Sequence, residues 1–233
     1  MYLILSLLLL PQVINFILAL VPALILLGYF YKRDPRPEPR QTVTKAFLWG
    51  IAATLPALLI EMLFSSLTPS GLHPLASAAI RAFLIAALVE ESCKMAVVNK
   101  FIYPLPEFDE VNDGVVYTMA AGLGFAFLEN ILYSMNSGHS WSLLIMRGLT
   151  SVPLHGLASG LMGYYIGKAK FAQRDSRMIG LLWAVFYHGL YDFFLFTETA
   201  LAWLTIPLLL ILYKHTRSKM DQAIQEDKDA YRV

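Results

Sequence analysis

The segment LVEESCK, residues 88 to 94, carries three ionisable side chains inside a mostly apolar run from residue 75 to residue 98. Lys94 follows Glu90 by four residues and Glu91 by three, so on a helix its ammonium group can pair with either carboxylate. One lysine cannot neutralise both glutamates. The unpaired carboxyl group, removed from water beside a like charge, is suited to act as a general base or acid. The structural alternative is that these residues form an ion-paired polar cluster that only holds helices together.

Later apolar segments add two histidines and more carboxylates. The stretch YHGLYDFF places His188 and Asp192 four residues apart, the helical spacing at which a carboxylate can hold an imidazole in one tautomer. Glu129 and Asn130 follow a glycine-containing helix face in GLGFAFLENILY, and His155 lies in VPLHGLASG. Asn130 is a candidate to donate a hydrogen bond to a developing oxyanion.

These side-chain types favour hydrolysis by an activated water molecule. The set contains no serine or cysteine nucleophile of the kind used in covalent acyl transfer, and the thiolate of Cys93 would be disfavoured beside Glu91. Glutamate supplies a base, and histidines with carboxylates can hold a divalent cation with one open coordination position. The chain has no HExxH motif, so a metal site would be assembled across helices. Without a metal, a glutamate base would act with histidines that polarise the scissile carbonyl.

Seven apolar segments are long enough to position these groups in a membrane. Of the 233 residues, 57% are hydrophobic and 15% are charged, an apolar content above that of a soluble domain. A helix needs about 20 predominantly apolar residues to cross a bilayer. We therefore predict an all-α, polytopic helix bundle in the cell membrane, with no feature that indicates nucleic-acid binding. The predicted spans cover residues 12–31, 46–67, 77–99, 114–135, 142–167, 178–197 and 199–213.

The distribution of basic residues predicts how the bundle is oriented. All of the 18 lysine and arginine residues except Arg81, Lys94 and Arg147 lie on alternate connections or in the C-terminal tail. The positive-inside rule places these regions in the cytoplasm, with the N-terminus outside and the C-terminus inside. Arg81 and Arg147 lie near the outer ends of spans and are interpreted as interfacial anchors. Residues 1–213 form the predicted membrane domain, and residues 214–233 form a charged, mobile cytoplasmic tail.

Depth in the membrane indicates whether residues on different helices can meet. With a rise of about 1.5 Å per residue from the cytoplasmic ends, Glu90 lies roughly 14 Å deep and His188 roughly 15 Å. On the same scale His155 lies roughly 18 Å and Glu129 roughly 22 Å deep. These depths overlap once helix tilt is allowed. The pattern therefore permits a single intramembrane site built from four helices.

Three motifs occur in order along the chain, each on a separate predicted helix. EESCK reads as EExxK, FAFLE as FxxxE and HGLYD as HxxxD. Together with the DPRPEP loop and the FDEVNDGVVY segment, they resemble the PrsW family of bacterial membrane-embedded proteases, which belongs to the CAAX prenyl endopeptidase-like superfamily. The resemblance covers about residues 28 to 195. It implies a helical core like that of the CAAX proteases.

The resemblance also implies an endoprotease whose substrate is anchored in the membrane. Members of this family make the first, extracytoplasmic-side cut of a single-pass anti-sigma factor, which starts regulated intramembrane proteolysis. They are classed with metalloproteases, whereas a glutamate-based mechanism has been argued for related CAAX enzymes. We therefore expect zinc as the cofactor, and lipid and a membrane-anchored anti-sigma factor as partners.

The predicted site is built mainly from the motif residues. Glu90 or Glu91 activates a water molecule, while Lys94 fixes the other carboxylate. Asp192 orients His188. The predicted catalytic residues are Glu90, Glu91, Lys94, Asn130 and Asp192, and the predicted zinc ligands are Glu129, His155 and His188.

A transporter or proton relay is the main alternative from another functional class, because the same glutamate, lysine and histidine residues can form a conduction path. A transporter is expected to spread polar residues through the membrane depth and to show paired broken helices. Here the polar residues cluster near one level, and no inverted repeat is visible. A non-catalytic binding or scaffold role is a further alternative. Substrate flux in liposomes without peptide cleavage would favour the transporter.

Overall fold

The computed structural model of the chain describes residues 2–69, 71–136, 140–171 and 175–230, with side chains described from residue 10 onward. Regular secondary structure within these ranges is helical throughout, which confirms the predicted all-α class. The α-helices are α1 (Tyr2–Tyr31), α2 (Arg40–Leu67), α3 (Pro74–Ala79), α4 (Leu88–Phe101), α5 (Val111–Asn136), α6 (Trp141–Leu149), α7 (Ser151–Phe171), α8 (Arg177–Phe196) and α9 (Thr205–Ala230). A π-helical segment, Ile80–Ala87, joins α3 to α4, and a 3₁₀ helix, Ala200–Leu204, precedes α9.

Among the described residues, four helices are long and apolar enough to cross a membrane. They occupy the first, second, fourth and sixth predicted spans. The third predicted span contains the π-helical segment and the charged residues of LVEESCK, and the fifth is interrupted at Thr150 between α6 and α7. The number of membrane crossings and their orientation stay predictions. The four helices are Leu10–Tyr31, Arg40–Leu67, Val111–Asn136 and Arg177–Phe196.

The outer surface of the bundle is apolar along α1 and α2. Ile25, Leu59 and Leu63 each have more than half of their surface exposed. Soluble proteins rarely expose large contiguous apolar patches, whereas a helix in contact with lipid requires them. These faces agree with a protein embedded in a membrane.

Helix α5 lies between α2 and α7, and glycines allow its backbone to touch both neighbours. A Cβ atom at Gly124 would lie 1.9 Å from the carbonyl oxygen of Phe47 in α2. A Cβ atom at Gly163 in α7 would lie 2.0 Å from the carbonyl oxygen of Gly114. Small residues at such contacts let helices pack closely in membranes. The close packing sets the distance between Glu129 on α5 and the residues of the neighbouring helices.

We expect Gly124→Ala to lower the free energy of unfolding by about 1–3 kcal/mol, because the added methyl group meets a backbone carbonyl that cannot rotate away. Chemical unfolding of the purified protein in detergent measures this change. Gly28→Ala in α1 is the matched control, since a Cβ atom there would meet no atom within 4 Å. Equal stability of the two variants would contradict the backbone contact between α2 and α5.

Residues 214–230 continue α9 and pack against the bundle, which differs from the predicted mobile tail. Thr216 is fully buried and donates a hydrogen bond of 2.9 Å to a backbone carbonyl of α7. The two carboxylate oxygens of Asp227 accept hydrogen bonds from the backbone N–H groups of Val111 and Asn112, at 2.8 and 2.9 Å. Asp227 therefore caps the start of α5 from another helix. The last three residues of the predicted tail lie outside the described residues, and its placement in the cytoplasm stays a prediction.

The connection between α1 and α2 docks against the start of α5 through buried carboxyl groups. Asp34, Glu38 and Asp113 are all buried, and the hydroxyl of Tyr117 donates a hydrogen bond to Glu38. Burial raises the pKa of Asp34 to about 6, because its carboxylate loses hydration. This contact holds the DPRPEP loop against the end of the bundle that the charge pattern places in the cytoplasm.

Candidate active site

A cavity of about 580 Å³ opens between α2, the π-helical segment, α4, α5, α6, α7 and α8. Five of the predicted site residues line it, although they come from four different helices. Three other predicted site residues, Glu91, Lys94 and Asn130, are fully buried and lie outside the cavity lining. The five lining residues are Glu90, Glu129, His155, His188 and Asp192.

Lys94 is the centre of the buried polar cluster. Its ammonium nitrogen lies 2.7 Å from Oε1 of Glu91 and 3.3 Å from Oε2 of Glu90. It also lies 2.7 Å from Nδ1 of His155 and 4.2 Å from the centre of the Phe125 ring. Helical spacing brings the two carboxylates of α4 to Lys94, and helix packing brings the groups of α5 and α7. The π-helical segment leads directly into this part of α4, and π-helical turns are frequent at functional sites.

His188 is held between carboxylates on both sides of its ring. Its Nδ1 atom lies 2.8 Å from Oε1 of Glu91, so α4 engages the inner nitrogen. Its Nε2 atom lies 3.3 Å from Oδ2 of Asp192 and 3.9 Å from Oε2 of Glu90. The predicted contact between Asp192 and His188 is thus present, but Asp192 contacts the ring nitrogen that faces the cavity. Glu91 is the residue placed to fix the orientation of the ring.

His155 repeats this arrangement on α7. Its Nε2 atom lies 2.9 Å from Oε2 of Glu129. Its Nδ1 atom lies 3.8 Å from Oε2 of Glu90 and close to Lys94. The rings of His155 and His188 meet edge to face with centroids 4.9 Å apart. One oxygen of Glu90 therefore faces a nitrogen of each histidine.

Arg147 belongs to the wall of the site, which the sequence interpretation missed. Its guanidinium lies 2.8 Å from Oε2 of Glu129 and donates hydrogen bonds to Oδ1 of Asn130 at 2.7 Å and to Ser151 at 3.0 Å. The side chain is only 14% exposed, so it is not an interfacial anchor. The sequence does contain a signal for this contact. Glu129 is a carboxylate in an apolar span and therefore needs a cationic partner, and Arg147 lies in the next apolar segment. Asn130, the predicted oxyanion donor, uses its oxygen for Arg147.

The geometry fits a divalent cation held by Glu90, His155 and His188. Each offers one ligand atom, and these atoms all lie within 4.8 Å of one another. Two imidazoles with one carboxylate form the donor set of many catalytic zinc sites. Glu91 and Glu129 contact the opposite nitrogens of the two rings, as second carboxylates do in metal sites. This set contains Glu90 in place of Glu129, the carboxylate ligand predicted from the sequence.

Charge in the site also favours a bound cation. The cluster joins four carboxylates, but its permanently cationic partners are Lys94 and Arg147. Unpaired buried charge is costly in an apolar medium, so an additional positive charge would stabilise the cluster. The carboxylates are those of Glu90, Glu91, Glu129 and Asp192.

Comparisons with known proteins point in the same direction. A family model described as PrsW family intramembrane metalloprotease matches residues 38–214. The chain is similar to Protease PrsW of Geobacillus kaustophilus (strain HTA426), with 40% identity over 87% of this chain and 88% of the relative. It is 32% identical to Protease PrsW of Bacillus subtilis (strain 168), over 83% and 88% of the two chains. Protease PrsW of Clostridioides difficile (strain 630) is 30% identical over 93% and 94%. No solved structure matches the chain.

Proposed function

The chain belongs to the PrsW family of membrane-embedded proteases, and on that premise we propose that it hydrolyses a peptide bond in a single-pass membrane protein. The proposed reaction is the first, outer-side cut of an anti-sigma factor in regulated intramembrane proteolysis. The observation that carries the proposal is the convergence of Glu90, His155 and His188 on one cavity among helices with lipid-facing surfaces. The match to proteases over most of the chain speaks against the transporter alternative.

Glu90 is the better candidate of the two glutamates for direct contact with water. It lines the cavity, whereas Glu91 is fully buried and its Oε1 atom is engaged by both Lys94 and His188. In the proposed reaction one carboxylate oxygen of Glu90, Oε1, takes a proton from the attacking water, and the proton then passes to the leaving amine nitrogen. The other oxygen, Oε2, faces the histidine nitrogens and is the atom that would bind a metal. Glu91 acts as a positioning residue, because it holds Nδ1 of His188 without facing the cavity. Lys94 acts through the two glutamates, and its ammonium group would have to leave Nδ1 of His155 for that nitrogen to bind a metal.

Zinc is the proposed cofactor, held by Glu90, His155 and His188. When bound, zinc would polarise the scissile carbonyl and make a coordinated water more acidic. Glu91 would hold His188 and Glu129 would hold His155 in the orientation that this ligand set needs. Arg147 would keep the carboxylate of Glu129 in place through their 2.8 Å contact.

The position of the cavity supports a cut on the outer side of the membrane. Ser65, Asn136 and Phe196 line the cavity and lie near the C-terminal ends of α2, α5 and α8. The positive-inside rule predicts that these three helix ends lie outside the cell. A substrate strand that enters from this side would reach Glu90 without crossing the whole bilayer.

Zinc content and cleavage, measured on the same preparations, test the proposal. Purified wild type, His155→Ala and His188→Ala are each reconstituted in lipid vesicles with a single-pass membrane substrate. We expect stoichiometric zinc and two substrate fragments for the wild type, and loss of both in the two variants. Cleavage by a zinc-free wild type would assign a glutamate-based mechanism. Ion flux without cleavage would contradict the protease proposal.

A further inference from the structure

A second cluster of buried carboxyl groups lies at the opposite end of α5 from the active site. Asp34, Glu38 and Asp113 each offer one carboxylate oxygen, and these oxygens all lie within 4.8 Å of one another. The three residues are 4%, 5% and 0% exposed. Asp113 precedes Glu129 by 16 residues of one helix, which corresponds to about 24 Å. The cluster is therefore separate from the active site.

Several polar atoms of this cluster have no hydrogen-bond partner within bonding distance in the described part of the chain. They include Oδ2 of Asp34 and Oδ1 of Asp113. Asn112 beside Asp34 is 1% exposed, and its amide group offers both a donor and an acceptor there. Buried acceptor oxygens are rarely left without a donor or a cation. Two such carboxylate oxygens in one place point to a missing positive ligand.

Two basic side chains near the cluster contact other groups. Arg36 forms ion pairs with Glu110 and Asp109. Lys170 donates hydrogen bonds to two backbone carbonyls of the connection between α4 and α5, at 2.6 and 3.3 Å. A cavity of about 450 Å³ reaches the cluster at Asp34 and gives a small ion a route to it.

We propose that Asp34, Glu38 and Asp113 form a second metal site that takes a hard divalent cation of the Mg²⁺, Ca²⁺ or Mn²⁺ class. The ligand atoms are all oxygens, which such ions prefer, whereas the active site offers two imidazole nitrogens. The ion would bridge the connection between α1 and α2 to the first turn of α5. It would thereby fix the helix that carries Glu129.

Terbium luminescence tests this site with Tb³⁺ as an oxygen-seeking probe. The full-length protein in detergent is freed of metal with EDTA and titrated with Tb³⁺ under tyrosine excitation. Tyr117 is a built-in sensitiser, because its hydroxyl is hydrogen-bonded to Glu38. We expect saturable emission in the wild type and its displacement by the cation that the site prefers. Saturating cation should also raise the melting temperature by about 5 °C.

Variants separate this site from the active site and from the protein surface. Asp34→Asn combined with Glu38→Gln should weaken Tb³⁺ binding at least tenfold and remove the thermal shift. His188→Ala and the surface control Asp175→Asn should bind Tb³⁺ as the wild type does. The melting temperature in EDTA is the folding control, since amides remove buried negative charge and should not lower it. Absence of sensitised emission in the wild type, unchanged binding by the double variant, or emission lost in His188→Ala would each overturn the proposal.

Discussion

Glu90→Gln is expected to slow substrate cleavage by about 10²- to 10⁴-fold, the range that loss of a general base produces. The amide keeps the size of the side chain but cannot take a proton from water. Glu90 Oε2 also lies 3.8 and 3.9 Å from the facing nitrogens of His155 and His188, so the substitution alters the centre of the site. The measurement is the rate at which fragments of a co-reconstituted single-pass substrate appear. Glu198→Gln, an exposed carboxylate outside the cavity, is the matched control and should cleave at the wild-type rate.

The zinc content of the same Glu90→Gln preparation assigns the role of Glu90. Loss of activity with zinc retained would identify Glu90 as the base, whereas loss of both would identify it as a ligand. Glu91→Gln provides a second comparison. Because Glu91 contacts Lys94 and His188 rather than the cavity, we expect it to alter the pH profile of cleavage more than the affinity for substrate. A wild-type cleavage rate for Glu90→Gln would contradict both proposed roles of Glu90, as base and as ligand.

The part of the site that lies on one helix could be predicted from spacing alone. Residues three and four positions apart share a helix face, so the proximity of Lys94 to Glu90 and Glu91 followed from LVEESCK. The group that each imidazole nitrogen contacts could not be predicted, because it depends on how α7 and α8 are rotated about their axes. That rotation is set by packing between helices. This packing is why Glu91, rather than the predicted Asp192, contacts the inner nitrogen of His188, while Asp192 contacts the nitrogen that faces the cavity.

Features that involve distant partners were missed for a related reason. Arg147 was interpreted as an interfacial anchor because its span position is near an outer end, yet it pairs with Glu129 across the connection from α5 to α6. The polar composition of residues 214–230 suggested a mobile tail. The structure orders this segment because Thr216 and Asp227 find backbone partners on α7 and α5. Apolar length predicted where the helices lie, but it does not reveal such polar contacts between them.

Lys94→Met is expected to lower the free energy of unfolding by about 3–5 kcal/mol, the usual cost of removing one partner from a buried ion pair. The ammonium group is fully buried and contacts Glu90, Glu91 and His155, so its loss leaves carboxylates without their nearest cation. Unfolding of the purified protein in detergent measures the change. Lys100→Met, an exposed lysine of the same helix, should stay within about 0.5 kcal/mol of the wild type.

A double variant separates the structural role of Lys94 from its role in the reaction. Lys94→Met combined with Glu91→Gln removes one positive and one negative charge, so it should recover much of the stability lost by Lys94→Met alone. If the recovered protein retains zinc but cleaves substrate more slowly than Glu91→Gln alone, the ammonium group acts on the reaction itself. If it cleaves at the rate of Glu91→Gln alone, Lys94 serves to hold the helices together. A double variant no more stable than Lys94→Met would contradict the pairing of Lys94 with Glu91, because charge balance would then not be what the lysine provides.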